Sequence, residues 1–253
     1  MALSVLIAAS EAVPFIKSGG LADVVGVLPR YLRDLGHDVR LVLPRYYGID
    51  RKRFGLKKLE GVLVVPMGRL GKEYCGVYEG RVPDSDVPVY FLEHEGYFGR
   101  SSLYAEENVE FVDNDQRFIF LSKGSLELCK MLGFHPDVVH ANDWHTAAIP
   151  LLLNSTYRGD SHVGGAASLL TIHNMQYQGS FPSSAMDILG VGWEHFTFLG
   201  VEKDDRVNLL KGGIYNATLL NTVSEGYAAE IQTSAQGWGL EGVLRESCLL
   251  YTS

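Results

Sequence analysis

Three short stretches carry residue types that could bind or transform a polar ligand. The first, Lys17-Ser18-Gly19-Gly20, stands just before an apolar-periodic run that begins at Leu21. Glycines let a backbone approach a ligand, and a helix N-terminus offers unpaired N–H groups and positive potential. A lysine there adds a point charge suited to a phosphate. The order is not the Walker pattern, where the lysine follows the glycines, and Gly-x-Gly-x-x-Gly is absent. On these residues alone, a phosphate cradle and a plain glycine-rich turn with a solvated lysine both stay open.

The second stretch is His140-Ala141-Asn142-Asp143-Trp144-His145. Two histidines and an aspartate raise a metal site. The spacing is not the single helix face of a zinc protease, and no further histidine is close in sequence. Ordinary packing with Asp143 as a helix N-cap is one alternative. A sugar platform is another, since aromatic rings suit pyranose faces and carboxylates suit hydroxyls. The third stretch is His173-Asn174-Met175-Gln176-Tyr177-Gln178-Gly179. A lone histidine at a strand end is more often structural. There is no Gly-x-Ser-x-Gly elbow or Cys–His pair for a covalent hydrolase. No pair of glycosidase-type carboxylates can be picked out.

What must position these residues is a strand before each stretch. Ser4 to Ala9 is apolar and reads as a buried first strand. Leu21, Val24, Val25, Leu28, Leu32 and Leu35 then recur at helical spacing, with Pro29 expected to cost a hydrogen bond and Gly36 as the stop. Val39 to Leu43 completes a βαβ unit. Short β-rich pieces at 62–66, 74–79 and 87–92 predict hairpins, possible additions to the sheet edge. A loop over Glu93 to Asn108 and an amphipathic helix over Asn114 to Leu132 follow. Strands at 138–141, 169–172 and 219–223 alternate with helices at 146–157, 208–216 and 225–232. Alternation of this kind predicts a doubly wound parallel α/β sheet, with ligands at the carboxyl ends of the strands. Lys17, Asp143 and His173 then fall on one sheet edge.

Composition narrows the classes. The chain has 253 residues, 46% hydrophobic and 21% charged, with 22 basic against 30 acidic residues for a net charge of −8. Disorder, collagen and disulfide scaffolds do not fit. An acidic chain lacks the broad basic face of nonspecific nucleic-acid binding, and no apolar run approaches the roughly 20 residues of a membrane span. Cys75, Cys129 and Cys248 make neither a disulfide framework nor a zinc knuckle, which fits a reducing compartment.

Taken together, the motifs match a known family. Lys17-Ser18-Gly19-Gly20-Leu21-Ala22-Asp23-Val24 resembles a signature of bacterial glycogen synthases and plant starch synthases. His140 to His145, Thr171-Ile172-His173-Asn174 with Tyr177-Gln178-Gly179, Thr222 to Tyr227, and Gly237 to Gly242 resemble further segments in the same order, covering residues 4 to about 246. The resemblance implies the Rossmann-like N-terminal half (1–246) of a GT-B fold. It implies transfer of glucose from ADP-glucose to the nonreducing 4-hydroxyl of an α-1,4-glucan with retention, and no metal or cofactor.

Lys17 would then touch the ADP phosphate, with Ser18, Gly19, Gly20 and Asp23 in the same nucleotide-sugar loop. Tyr104, Asp143 and Trp144 would line the glucan-binding cleft. His173 and Asn174 would lie beside the transferred glucose, with His173 bonding a sugar hydroxyl. Gly99-Arg100-Ser101-Ser102, just before Tyr104, stands where relatives often carry Asp-Arg-Pro-Gly. The competing readings are a related GT-B transferase using UDP-glucose and a glucan-binding module without activity.

Cys248 to Ser253 match one reading frame of a common transposon-type sequencing adapter. Residues 247–253 are therefore read as adapter translation, with Ser247 the hybrid codon, against the alternative of a native C-terminal strand. On that reading the C-terminal GT-B domain is missing, the tail contributes nothing to the fold, and the chain alone is inactive. The face toward the second domain should expose Trp144 and Tyr177. The expected location is the bacterial cytoplasm, or the plastid stroma for a plant or alga.

Overall fold

Strands rich in Val, Leu and Ile on both faces suit a sheet covered by helices on each side. The structure, a computed structural model, describes residues 1–247 and, by backbone alone, 250–252. Its parallel strands, numbered along the chain, are β1 (Ser4–Ala8), β2 (Asp38–Pro44), β3 (Pro88–Glu93), β4 (Val138–Asn142), β5 (Ala167–Ile172) and β6 (Leu219–Thr222). Their order across the sheet is β3-β2-β1-β4-β5-β6. This is the doubly wound arrangement, and the winding reverses between β1 and β4. There Val5 faces Val138 and Ala8 faces Ala141.

The expected hairpins are present, with one difference. Lys72–Arg81 runs antiparallel to β3 and carries Lys57–Lys58 and Leu63–Pro66 on its own flanks. The 87–92 piece is the outermost parallel strand, because Leu41 to Pro44 pair with Val89 to Leu92. Its run of buried apolar residues on both faces is the mark of a parallel strand.

Helices cover the sheet: α1 (Gly20–Asp34), α2 (Asn114–Leu132), α3 (Ala148–Asn154), α4 (Leu209–Asn216) and α5 (Glu225–Ile231). Pro29 lies inside α1 without ending it, and Gly36 takes φ +92° just beyond its end. In α2 burial extends all round rather than along one face. Its polar residues are satisfied internally. Ser122 and Ser125 donate to the Phe118 and Leu121 carbonyls, and the Lys123 ammonium donates to the Pro66 and Ile188 carbonyls. That pairing is what lets a helix with serines and a lysine sit in the core. α3 is shorter than the expected 146–157 element.

Residues 248, 249 and 253 and the side chains of 250–252 fall outside the described residues, so the reading of the tail as foreign lies largely outside them. The backbone of Leu250–Thr252 runs parallel to β6, with Leu250 opposite Leu220. An open strand edge is a template for any extended segment, so this pairing is neutral on the origin of the tail.

Candidate active site

A cavity of about 750 Å³ opens at the carboxyl ends of β1, β4 and β5, at the point where the winding reverses. The glycine loop forms one wall through Ser18, Gly19 and Gly20, and Asp143, Trp144, His173, Asn174 and Tyr104 face it. Eight of the expected site residues therefore come together around one hollow. Lys17 and Asp23 do not line it. They pair with each other, Nζ to carboxylate at 2.6–2.7 Å, with side chains about half exposed. Lys17 is thus solvated, as one of the two open readings had it, but paired. An aspartate in the first turn of α1, six residues on, holds the ammonium.

Glu11 was not among the expected site residues, although it stands at the end of β1 where ligands are expected. It is 3% exposed. Its carboxylate accepts from the Ser18 amide, from the Ser18 hydroxyl at 2.9 Å and from the Gly19 amide at 3.3 Å. Two of the loop amides expected to cradle phosphate are thus already taken by the chain itself. Helix α1 has no side-chain cap at Gly19, and the amides of its first turn have no intrahelical partner.

Tyr104 reaches the same floor. Its hydroxyl meets Ser10 Oγ at 2.7 Å and Glu11 Oε1 at 3.3 Å, and burial pushes the phenol well above its ordinary range. The loop that carries it is held from α2. Arg117, fully buried, donates to the carbonyls of Tyr97 and Leu103 and to Asn114 Oδ1, while Asn114 Nδ2 donates to the Tyr104 carbonyl. In the divergent Gly99–Ser102 segment, Arg100 pairs with Asp113 and donates to the Gly96 carbonyl. The segment keeps an anchor despite its departure from the family pattern.

After β4 the chain turns sharply, with Asp143 in the left-handed region at φ +54°. Asp143 does not cap α3, which begins at Ala148. Its Oδ1 accepts from the His173 amide at 2.7 Å and the Asn174 amide at 3.3 Å, tying the β4 loop to the β5 loop. Burial pushes its carboxyl up to about 7, against the pull of those two amides. Trp144 is 6% exposed, contrary to the expectation of an open ring. It packs edge-on to Phe118 at 4.8 Å and lies over Gly179, where a Cβ would come within 2.5 Å of the indole. Gly179 also has φ +64°, so the position calls for glycine twice over. Tyr177 is exposed as expected. A smaller hollow of about 320 Å³ adjoins, between Trp144, Tyr177, Phe181 and Trp238.

The histidines have separate roles. His140 Nε2 meets Thr171 Oγ1 at 2.6 Å, whereas His145 stacks on Tyr104 with ring centres 4.6 Å apart. Among the described residues no group of three or more His, Cys, Asp or Glu is placed to hold a metal ion. Burial depresses His140 to about 3 and His173 to about 4, and holds His145 well below its ordinary value. All three are neutral at physiological pH.

The model of the starch synthase catalytic domain matches residues 4–246. The chain belongs to this family. Among curated family members it is 68% identical over 243 residues to Glycogen synthase 1 of Geobacter sulfurreducens, covering 96% of this chain and 48% of that protein. It is 66% identical to Glycogen synthase 1 of Geobacter metallireducens, covering 96% and 49%. A solved starch synthase catalytic domain, that of starch synthase IV from Arabidopsis thaliana bound to ADP and acarbose, superposes with a TM-score of 0.90 at 30% identity. The match covers all of this chain and 51% of that one. The chain thus spans about half the length of the starch and glycogen synthases it matches, and its fold is the Rossmann-like half of a GT-B architecture.

Proposed function

We propose that this chain supplies the N-terminal half of an enzyme that transfers glucose from ADP-glucose to the nonreducing end of an α-1,4-glucan, with retention. The observation that carries the proposal is the cavity where the sheet reverses. It joins a glycine loop at a helix N-terminus to His173, Asn174 and an aromatic wall. The starch synthase that shares this fold is bound to ADP and acarbose, a nucleotide and a sugar.

Breaking the bond between glucose and diphosphate leaves negative charge on the nucleotide and positive charge on the sugar ring. The first-turn amides of α1 stand ready for the former at no reorganisation cost. Lys17, once released from Asp23, adds a full charge. The exposed Tyr177 at the cavity wall, backed by the buried Trp144, gives the glucan apolar surface, and Asp143 fixes the loop that bears His173 and Asn174. One wall of a cleft cannot fix both reactants, and positioning is worth about 7–11 kcal/mol of barrier. The chain by itself is therefore expected to be inactive, with the second wall supplied by a half such as its longer relatives carry. Cytoplasmic glycogen synthesis is the setting that agrees with bacterial relatives.

The experiment is to join residues 1–246 to the remaining half of the Geobacter sulfurreducens relative and to follow glucose incorporation into glycogen. Transfer from ADP-glucose, faster than from UDP-glucose and giving α-linked product, is expected. A well-folded chimera without transfer, in which the chain binds glucan alone, would replace the proposal by a binding-module function.

A further inference from the structure

Asn142 ends β4 and is 1% exposed. Its amide has one possible orientation. Nδ2 faces two backbone carbonyls, Ala8 at 3.2 Å and His140 at 3.5 Å, which can only accept. Oδ1 is thereby turned to the His173 ring and meets Nε2 at 2.9 Å. A carbonyl oxygen cannot donate, so the ring nitrogen must. The position of the amide is itself fixed, because the Asn142 main chain is bonded on both sides by the Thr146 hydroxyl.

A neutral imidazole has one N–H. With the proton on Nε2, Nδ1 is left as a lone pair, and that atom is buried with no partner among the described residues. A buried acceptor without a donor is costly and calls for an explanation. His173 borders the cavity. The titratable groups around it are His140 and His145, both held neutral by burial, and Asp143, whose carboxylate is occupied by the His173 main-chain amide rather than by the ring.

We propose that Asn142 is a positioning residue for sugar transfer, fixing His173 as the Nε2–H tautomer so that Nδ1 accepts a hydrogen bond from the bound sugar. This rests on the reading of the cavity as a glucosyl-transfer site. His173 then acts as a neutral acceptor and not as an acid. It turns the electron-rich end of its dipole toward a ring that becomes electron-poor as the glycosidic bond breaks. The roles of the two residues are distinct: His173 touches the sugar, and Asn142 acts only through His173.

The test begins with nitrogen-15 side-chain spectra of the 253-residue chain at neutral pH. A single His173 tautomer is expected, with a slowly exchanging Hε2 and a bare Nδ1. Asn142→Ala should expose that proton to rapid exchange with water. Asn142→Asp should keep it bonded and raise the titration midpoint of His173, because a carboxylate favours imidazolium. A proton on Nδ1 in the wild type, or an equally protected Hε2 in Asn142→Ala, overturns the proposal. In the chimera, Asn142→Asp should lower kcat about tenfold, the scale of one hydrogen bond, with little change in KM and a deeper loss as pH falls. Unchanged kcat and pH profile would also overturn it. A wild-type chimera that transfers no glucose refutes the functional reading, and the spectra still decide the tautomer.

Discussion

The Glu11 carboxylate occupies the backbone cradle that its own chain forms seven residues later, holding both the amide and the hydroxyl of Ser18. The glycine loop is thereby shaped before any ligand arrives. On the proposed function, a diphosphate would meet a loop already folded around an anion and would use the amides beyond it. Lys17 is poised similarly, since its ammonium already rests on a carboxylate.

Removing the Glu11 carboxylate should loosen the loop measurably. In Glu11→Ala the Ser18 and Gly19 amides lose their acceptor, which costs about 1–3 kcal/mol where the groups stay dry. Glu11→Gln keeps one acceptor oxygen and should lose less. Urea unfolding of the two variants checks the order, and an alanine variant as stable as the wild type would contradict the cradle.

Lys17→Ala should separate stability from activity. An exposed ion pair contributes about 0.2–1 kcal/mol, so the melting curve should shift little. In the chimera, loss of the charge facing the diphosphate should lower kcat/KM by about 10²–10³. Arginine should rescue only in part, because its planar fork is not a compact charge. A variant that melts early yet transfers glucose normally would make Lys17 a structural residue.

Acid should destabilise the fold through its histidines, with Asp143 opposing. His140 and His173 are depressed to about 3 and about 4. Their contribution is present above about 6.5 and is lost as pH falls toward those values. The Asp143 carboxyl is raised to about 7. Its contribution is full below about 4 and is lost as pH rises through 7. Asp143→Asn removes the opposing slope and should make the decline from pH 7 to 4 steeper. Denaturation midpoints across that range in both proteins test it. Parallel curves would mean that Asp143 does not titrate there.

Arg117→Met should be severe. It strands two backbone carbonyls and Asn114 Oδ1 in the interior. At about 1–3 kcal/mol for each group left dry, a loss of roughly 3 kcal/mol or more is expected. Faster hydrogen exchange around Tyr104 than around β1 would mark the damage as local to that loop.

Elements with one strong local signal were legible in the sequence. Helix α2 spans Asn114–Leu132 as expected, and β1 and β5 stand within two residues of their predicted bounds. The motif residues His173, Asn174 and Asp143 were found because each follows a strand at the same sheet edge. What escaped depended on partners distant in sequence. Glu11 carries no local mark of its bond to the glycine loop. Trp144 looked like an open sugar platform because Phe118, Phe181 and Gly179, which bury it, come from other elements. Asn142 is one residue of a motif until Ala8 and His173 bracket it across three strands.

The strand order sets a timetable for synthesis. β1 leaves the ribosome before the other strands of the sheet, yet it lies at the centre, and one of its neighbours is β4. The Ser4 amide finds its partner in Asp137, 133 residues downstream. At about 5–20 residues per second, translation leaves that side of β1 uncovered for on the order of ten seconds. The exposed segment is Val-Leu-Ile-Ala, an uninterrupted apolar stretch. β1 is thus the strand left longest without its neighbour, and its dependence on ribosome-bound chaperones should end when β4 emerges.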